Sequence, residues 1–278
     1  MPRFIDTLRS ELLALYPERE ARAIANAIIE AVTGWTPTVL ATHPEYQPDS
    51  VQQQQLQQML FRLKRCEPLQ YVLGETFFCG LLLHCDHRAL IPRPETAELV
   101  EWLVQYIPPH ATILDIGTGT GCIAVAIAKL LPTAKVAACD ISPNALALAL
   151  ENAVLNRVHI DFFQADILTT TSLINKYDII ISNPPYVTAS ERADMEANVL
   201  RYEPPQALFV PDNNPLLFYR VIARLARTAL YTNGMLFFEI NQRFGKEVTT
   251  LLREEGFVDI TLRRDLSGND RMVCGKMK

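Results

Sequence analysis

Apolar residues in the first seventy positions recur with the period of an α-helix. Spacings of four, four and three residues place one set on a single helical face, namely Phe4, Leu8, Leu12 and Leu15. A second set lies within residues 21–32 and comprises Ile24, Ile28 and Ile29. Residues 1–75 are therefore predicted to form a small helical bundle.

The glutamine-rich stretch VQQQQLQQMLFRLKR is predicted to be a third helix of this bundle. Asp49 and Ser50 precede it and suit the N-cap. Glutamine is a good helix former, so the run need not be a low-complexity segment. The apolar stripe of this helix comprises Val51, Leu56, Met59, Leu60 and Leu63.

The pattern changes after residue 70. The β-prone runs of residues 71–90 carry Gly74 and Gly80 as turn signals, which predicts a β-hairpin linker over residues 76–91. The following stretch, IPRPETAELVEWLVQYI, starts with prolines and continues with helically spaced apolar residues. It predicts a proline-rich loop that leads into a helix.

Strands and helices alternate beyond Pro109. Strands are predicted at 112–116, 135–139, 160–164, 177–182 and 235–240, and helices at 122–131, 143–155 and 217–230. Such alternation is typical of βαβ units, so residues 92–278 are predicted to form an α/β domain with a largely parallel sheet. The last two strands, 257–262 and 271–274, flank a turn and are expected to pair as an antiparallel hairpin.

Composition and charge narrow the function. The chain of 278 residues has 49% hydrophobic residues and a net charge of -5, from 26 basic and 31 acidic side chains. A basic excess, the usual sign of nucleic-acid binding, is missing, so no direct contact with nucleic acid is expected. The first residues lack a continuous signal-peptide core and no window suits a bilayer, so we expect a cytoplasmic protein without membrane contact. We also expect it to be a monomer.

The six cysteines do not indicate a metal or disulfide site. Only Cys79, His84, Cys85 and His87 lie close together in sequence. Their spacing matches no common zinc pattern, and neighbours on a strand point to opposite faces. We therefore expect no metal, and cysteines that serve as small apolar residues.

The segment LDIGTGTGCIAVAIA is the first chemical signal. It contains a predicted strand, a loop of alternating glycines and threonines, and a helix; the loop residues are Gly117, Thr118, Gly119, Thr120 and Gly121. Glycines let a backbone turn sharply and approach a ligand closely. Asp140, at the end of the next strand, suits a ribose hydroxyl. Together they favour an adenosine-containing cofactor over a purely structural turn.

The glycine spacing also indicates which cofactor binds. Dinucleotide enzymes have G-x-G-x-x-G, whereas this loop has G-x-G-x-G, which is more like that of enzymes that use S-adenosylmethionine. This cofactor has no pyrophosphate to place at a helix N-terminus. Asp166 and Ile167 follow the third strand, where such enzymes hold adenine, and are predicted to bind it.

A core strand ends in the segment SNPPY. Asn183 lies at the end of this fourth parallel strand, which should bring it to the ligand crevice. Its side-chain oxygen and the Pro184 carbonyl can accept both N–H bonds of a substrate NH₂ group, either an amide or an exocyclic aromatic amine. These two hydrogen bonds favour pyramidalisation of the nitrogen for attack on a methyl group. Pro185 stiffens the turn, and Tyr186 offers a flat face to a planar substrate group. The simpler alternative is a strand that ends in a proline turn.

The chain resembles the protein release factor glutamine methyltransferases, the HemK or PrmC family. The resemblance covers nearly the whole chain through PLQYVLGETFFCG, LIPRPETAELVEW, ILDIGTGTGCIA, SNPPYV, RYEPPQALF and DLSGNDR. It implies a seven-stranded Rossmann-like methyltransferase domain behind the helical domain. The implied reaction is methyl transfer from S-adenosyl-L-methionine, with S-adenosyl-L-homocysteine as product. The implied acceptor is the side-chain amide nitrogen of the Gly-Gly-Gln glutamine in class 1 peptide chain release factors.

The resemblance also implies roles for residues outside the two main motifs. Arg93, Pro94 and Thr96 are expected to border the glutamine pocket, whereas Glu203 and Pro204 are expected to be positional. The sequence departs from the family pattern in two turns. VPDNNPLLFYR, which contains Asn213, replaces a glycine-rich turn, and Asn241 stands where a glycine is common. Both departures are expected to change loop geometry and not the reaction.

Two other functions stay open. An exocyclic amino-methyltransferase of DNA or ribosomal RNA would share the NPPY segment, although the acidic charge balance and the absence of an evident target-recognition domain disfavour it. A binding module without catalytic activity would keep the fold as a scaffold.

Overall fold

A computed structural model describes residues 4–278 of the protein. The first three residues of the predicted 1–75 bundle lie outside the described part. Within residues 4–278, no helix is both long enough and apolar enough to cross a membrane. The chain divides into two compact units, which meet in sequence at Gly74 and Glu75.

The first unit is helical, as the apolar periodicity predicts. Its helices before residue 75 are α1 (Phe4–Leu13), α2 (Glu18–Thr33), α3 (Pro37–Thr42), α4 (Ser50–Lys64) and α5 (Leu69–Leu73). Asp49 caps α4 as predicted, because its carboxylate accepts the backbone N–H groups of Val51 and Gln52 at 2.9 Å. The core contains the apolar faces of α1, α2 and α4.

Two residues of the predicted apolar stripes lie outside this core. Helix α1 ends at Leu13, so Leu15 is 46% exposed. Val51 occupies the first turn of α4 and is 63% exposed, whereas Leu56, Leu60 and Leu63 are buried. The stripes are thus correct in their central turns and wrong at their ends, where a helix stops or leaves its neighbours.

A distant segment belongs to the same helical unit. Residues Ala197–Tyr202 form a short helix, α9, which packs within the first unit. The Tyr202 hydroxyl donates to the backbone carbonyl of Arg65 at 2.7 Å. The local sequence does not predict this assignment, because it depends on a pairing across more than 130 residues.

The second unit contains a seven-stranded sheet with the order β10-β11-β9-β6-β3-β4-β5. Its strands are β3 (Thr112–Ile116), β4 (Lys135–Asp140), β5 (Asp161–Gln164), β6 (Tyr177–Ser182), β9 (Leu230–Glu239), β10 (Val258–Arg264) and β11 (Asp270–Lys276). Neighbouring strands from β9 to β5 are parallel, and β11 is antiparallel to both β9 and β10. This order confirms the predicted α/β sheet and its C-terminal hairpin.

Helices cover both faces of this sheet. They are α6 (Pro94–Leu103), α7 (Cys122–Leu130), α8 (Pro143–Asn156), α10 (Leu217–Ala229) and α11 (Gly245–Glu254). Strand β6 shows why its sequence is continuously apolar: Ile179 and Ile181 join one core cluster, and Ile180 joins the cluster on the opposite face. The sheet is therefore packed against apolar side chains on both faces.

Two small strand pairs complete the second unit. The predicted hairpin is present, with β1 (Glu75–Phe78) antiparallel to β2 (Leu81–His84), but it is shorter than the predicted 76–91, because residues 85–91 form a loop. Two-residue strands, β7 (Val187–Thr188) and β8 (Phe209–Val210), pair in parallel after the NPPY segment. Buried Asn152 connects the hairpin to the glycine loop, because its side-chain amide donates to the carbonyls of His84 and Thr120.

Candidate active site

A cavity of about 420 Å³ opens at the carboxyl ends of the central strands. This is the edge at which open parallel sheets bind ligands. Segments that follow four different strands meet there, together with the proline-rich loop. The main segments of its lining are 88–93, 116–120, 139–142, 165–168 and 182–185.

The glycine loop connects β3 to α7 and forms part of this lining. Gly117 and Gly119 have φ angles of +75° and +55°, which other residues adopt only with strain. A Cβ added to Gly117 would meet no heavy atom within 4 Å, so open space lies beside the backbone. Thr118 and Thr120 also line the cavity. This arrangement suits a ligand that lies directly against the main chain.

Gly121 differs from the other two glycines of the loop. It is absent from the cavity lining, and a Cβ there would lie 2.9 Å from the Cβ of Ala149 in α8. Its φ angle is +79°. Gly121 therefore allows α7 and α8 to pack closely, a requirement distinct from the cofactor contact predicted for it.

Asp140 ends β4 and faces the cavity beside the loop. Its Oδ2 accepts the backbone N–H of Gly119 at 2.9 Å, and its Oδ1 accepts that of Ser142 at 2.9 Å. A carboxylate oxygen can accept more than one hydrogen bond, so both oxygens retain capacity for ribose hydroxyls. The predicted ribose contact fits this geometry.

Asp115 lies beneath the loop and is completely buried. Its Oδ2 accepts the hydroxyl of Thr118 at 2.6 Å, whereas Oδ1 has no hydrogen-bond partner within residues 4–278. Burial, together with the negative charge of Asp140, raises the pKa of Asp115 to about 7, although the Thr118 hydrogen bond opposes the shift. Asp115 thus holds Thr118 of the glycine loop through a hydrogen bond, and its contribution to the stability of the fold depends on pH.

The predicted adenine residues follow β5 and line the same cavity. Ile167 is 9% exposed and presents an apolar surface at the wall. Asp166 accepts the backbone N–H of Leu168 at 3.0 Å through its side chain, which shapes the turn. Their position agrees with a planar apolar ligand group, and adenine contact stays a prediction.

Asn183 follows the last residue of β6 and lines the cavity. Its Nδ2 donates to the Oγ1 of Thr96 at 3.1 Å. Within residues 4–278, this is the only hydrogen bond of the Asn183 side chain, so Oδ1 is left as an acceptor for a ligand. Pro184 and Pro185 continue the wall, and Ser182 anchors the strand end by donating to the carbonyl of Ile116 at 2.7 Å.

Tyr186 lies behind this wall and is not among the residues that line the cavity. Its hydroxyl donates to the Oε1 of Glu239 at 3.0 Å. Burial and the charge of Glu239 raise the pKa of Tyr186, so its phenol stays protonated. The contact between Tyr186 and a planar substrate group therefore remains a prediction, and the structure gives this ring a hydrogen-bonding role that the sequence did not suggest.

Glu239 is a residue that the sequence analysis missed. It ends β9, is 1% exposed, and accepts the hydroxyl of Thr96 at 2.6 Å as well as that of Tyr186. Burial raises its pKa above the ordinary value, against the effect of these two hydrogen bonds. A carboxylate at the end of an otherwise apolar strand, MLFFE, was the available signal.

The proline-rich loop carries the other predicted pocket residues. Arg93 lines the cavity and pairs with the Oε1 of Glu203 at 2.5 Å. The Oε2 of Glu203 accepts the backbone N–H of Ile91 at 3.2 Å, so Glu203 holds the loop in place, in agreement with a positional role. Pro94 is exposed at the first position of α6 and does not line the cavity, whereas Thr96 does.

Asn241, one of the two departures expected from the family resemblance, has hydrogen-bond partners for both polar atoms of its side chain. Its side-chain nitrogen donates to the carbonyl of Tyr186 at 3.1 Å and to Glu191 at 2.9 Å, and its oxygen accepts the backbone N–H of Arg243. Asn241 therefore braces the chain that follows the NPPY segment. The other turn that departs from the expected family pattern is VPDNNPLLFYR. There Asn214 accepts a hydrogen bond from Arg220 at 3.0 Å.

The described residues offer no clear metal centre. Within residues 4–278, no group of three or more histidine, cysteine, aspartate or glutamate side chains is arranged to hold a metal ion. The six cysteines are all free. Burial raises the pKa of Cys85 to about 12 and that of Cys79 to about 11, so both thiols stay protonated at neutral pH.

Comparison with known proteins agrees with this architecture. Residues 96–208 match the family model of the methyltransferase small domain, and residues 6–74 match that of the PrmC N-terminal domain. A crystal structure of a methyltransferase from Pyrococcus furiosus is similar in fold, with a TM-score of 0.54 over 71% of this chain and 89% of that one, at 15% identity. The family models, together with this fold, indicate the methyltransferase class.

Curated relatives identify the family within this class. The release factor glutamine methyltransferase of Flavobacterium psychrophilum is 47% identical over 267 residues, which is 94% of each chain. That of Bacteroides thetaiotaomicron is 41% identical over 98% of this chain and 99% of its own length. The chain belongs to the release factor glutamine methyltransferase family.

Proposed function

We propose that the protein transfers a methyl group from S-adenosyl-L-methionine to the side-chain amide nitrogen of a glutamine, that of the Gly-Gly-Gln motif in class 1 peptide chain release factors. The observation that best supports this function is the orientation of the Asn183 side chain. Its amide nitrogen donates to Thr96, so its oxygen is left to accept a hydrogen bond from a ligand in the cavity. The names of the family's curated members support the acceptor.

The cavity fits the proposed cofactor. Open space beside Gly117 permits close approach to the main chain, Asp140 offers acceptor capacity for ribose hydroxyls, and Ile167 offers an apolar surface for adenine. Thr118, Gly119, Thr120 and Asp166 border the same space. When bound, the cofactor supplies an electrophilic methyl group on a sulfonium, and the leaving product is S-adenosyl-L-homocysteine.

The chain itself prepares the substrate amide for attack. A glutamine amide nitrogen is a poor nucleophile because its lone pair is delocalised. The Oδ1 of Asn183 and the carbonyl of Pro184 can each accept one N–H of the amide, which localises the lone pair as the nitrogen pyramidalises. The proline rings restrict this backbone, so the acceptors do not have to reorganise during the reaction. Loss of the extra proton to water completes the transfer without an ionised base.

The proposed acceptor can be tested directly. Incubation of the protein with methyl-labelled cofactor and unmethylated release factor is expected to label the Gly-Gly-Gln peptide, as identified by mass spectrometry. A release factor with Gln→Ala in that motif is the matched control and should stay unlabelled. Labelling of DNA or ribosomal RNA alone would support the alternative amino-methyltransferase, and absence of cofactor binding by calorimetry would support a non-catalytic module.

We further propose that residues 1–75 recognise the release factor. Phe61 is 60% exposed on α4, and the Arg65 guanidinium lies 5.6 Å from the centre of its ring. An exposed phenylalanine beside an arginine suits contact with a protein partner. Phe61→Ala is expected to raise KM for the whole release factor but not for a short Gly-Gly-Gln peptide. Val51→Ala, 63% exposed on the same helix, is the control, and equal effects of both variants would contradict a specific role for Phe61.

A further inference from the structure

We propose that Glu239 is a positioning residue that acts through Thr96 to fix which end of the Asn183 amide faces the substrate. The inference rests on the proposed function, because it concerns the acceptor that grips the glutamine amide. Glu239 lies outside the cavity lining and touches no ligand site directly. Its effect has to pass through the two hydroxyl groups that it binds.

The contacts form a short series of hydrogen bonds that begins at the cavity lining, with Asn183 and Thr96, and continues into the interior to Glu239. The Nδ2 of Asn183 lies 3.1 Å from the Oγ1 of Thr96, and that oxygen lies 2.6 Å from the Oε2 of Glu239. The other carboxylate oxygen accepts the hydroxyl of Tyr186 at 3.0 Å. Thr96 is 2% exposed and Glu239 is 1% exposed, so both side chains are largely shielded from bulk solvent.

The number of available protons fixes which group donates and which accepts at each of these hydrogen bonds. An ionised carboxylate only accepts hydrogen bonds, so Thr96 has to donate its single hydroxyl proton to Glu239. The Thr96 oxygen can then only accept from Asn183, and the amide must present its NH₂ group to Thr96. The Asn183 carbonyl oxygen consequently faces the cavity, where an acceptor is required for a substrate N–H.

In Glu239→Gln the side chain keeps nearly the same volume, but it no longer forces the Thr96 hydroxyl to be the donor. Its amide can either accept from Thr96 or donate to it. In the second case Thr96 donates to the Asn183 oxygen, and the Asn183 NH₂ group turns toward the substrate NH₂. Two donors then oppose each other, and the substrate amide loses one of its acceptors.

We call the Glu239–Thr96–Asn183 series of hydrogen bonds the relay. The kinetics of three variants test it. Thr96→Val removes the hydroxyl, and Glu239→Gln removes the constraint that Thr96 must donate. Each variant is expected to lower kcat at least about tenfold, because the contact between Asn183 and the substrate amide stabilises the transition state. The cofactor Kd should stay within about twofold. Thr96→Ser restores the hydroxyl and is expected to recover most of kcat. Thr249→Val, which loses a hydroxyl bonded to the Gly245 carbonyl in α11, is the control and should leave kcat unchanged.

The pH profile gives a readout that a merely structural role would not alter. Glu239 faces Tyr186 and is also influenced by Arg271, which favours its charged form, and by Glu95, which disfavours it. Wild-type kcat should fall on the acid side as Glu239 is protonated, at a pH above the ordinary glutamate pKa. Glu239→Gln should lack this acid limb. An unchanged acid limb, or a Thr96→Val enzyme with wild-type kcat, would overturn the relay.

A structural measurement separates the relay from the proposed acceptor. In wild-type protein, side-chain NMR should show a nuclear Overhauser effect between the Asn183 NH₂ protons and Thr96, whatever the methyl acceptor proves to be. If the NH₂ group instead faces the cavity, the relay is refuted. If wild-type protein shows the effect but labels no release factor, the relay stands and the proposed acceptor fails.

Discussion

The carboxylate of Asp140 accepts the backbone N–H of Gly119, with 2.9 Å between Oδ2 and the nitrogen. This bond joins the end of one strand to the loop that follows its neighbour. The acid at the end of β4 therefore shapes the glycine loop, and we propose that it also accepts hydrogen bonds from a ribose. We therefore expect the loss of Asp140 to disturb the conformation of the glycine loop as well as the cofactor site.

Asp140→Ala is expected to weaken cofactor binding at least about tenfold, because the ribose acceptor and the bond to Gly119 are both lost. Turnover at saturating cofactor should change less. Calorimetry with cofactor measures the effect. Asp140→Asn is the matched variant and should be intermediate, since its one oxygen can replace only part of the acceptor capacity. A Kd that does not respond to Asp140→Ala would remove Asp140 from the ribose site.

Asn183→Ala is expected to lower kcat by about two orders of magnitude or more, the scale of losing one preorganised polar contact to the transition state. The cofactor Kd should hardly change. Single-turnover methylation and calorimetry on the same sample separate the two effects. Asn175→Ala, an exposed asparagine just before β6, is the control. Parallel losses of binding and rate would contradict an acceptor role for Asn183.

Gly121→Ala is expected to destabilise the protein by about 2–5 kcal/mol, from the strain of a left-handed backbone plus the clash with Ala149. Gly34→Ala is the matched control. Gly34 also has a positive φ, +71°, but its added Cβ would meet nothing within 4 Å, so only about 1–2 kcal/mol is expected. Urea denaturation measures both. Equal losses would mean that α7 moves away from α8 at little cost.

Asp115 should make the stability of the second unit depend on pH. Its pKa is about 7 in the folded protein and near 3.8 when unfolded, so the folded state binds the proton more tightly. The stabilising contribution is complete below about pH 4 and is lost as pH rises through about 7, by at most about 4 kcal/mol.

Asp115→Asn keeps the shape and removes this titration. Urea denaturation at pH 5 and pH 8 should show a smaller drop in unfolding free energy for the variant than for wild type. The comparison uses the cofactor-free protein, so that ligand binding does not add its own pH dependence. An equal drop in both proteins would show that Asp115 does not stay protonated in the folded state.

Local sequence was sufficient for the parts of the site that are contiguous. The glycine loop and the NPPY segment could be recognised because each lies at a strand end, where apolar periodicity stops and special residues begin. Asp140 followed from its spacing to Gly117. Thr96 was found only through family resemblance, since nothing in the stretch IPRPETAELV itself marks a buried hydroxyl.

Glu239 could not be recognised in the same way. Its partners Thr96 and Tyr186 lie 143 and 53 residues away, and hydrophobic patterning carries no information on such pairs. The role of Gly121 was also hidden, because a glycine that contacts a helix looks identical in sequence to one that contacts a ligand. Sequence analysis thus located the cavity wall, whereas its supporting groups required three-dimensional structure.

The assignment of Ala197–Tyr202 to the helical unit has a consequence for biosynthesis. Residues up to Gly74 leave the ribosome first, yet the Tyr202 hydroxyl that binds the Arg65 carbonyl is translated more than 120 residues later. At typical elongation rates this delay is of the order of ten seconds. During this time the Arg65 carbonyl at the end of α4 lacks its hydrogen bond from Tyr202. That bond can form only after most strands of the sheet have been synthesised.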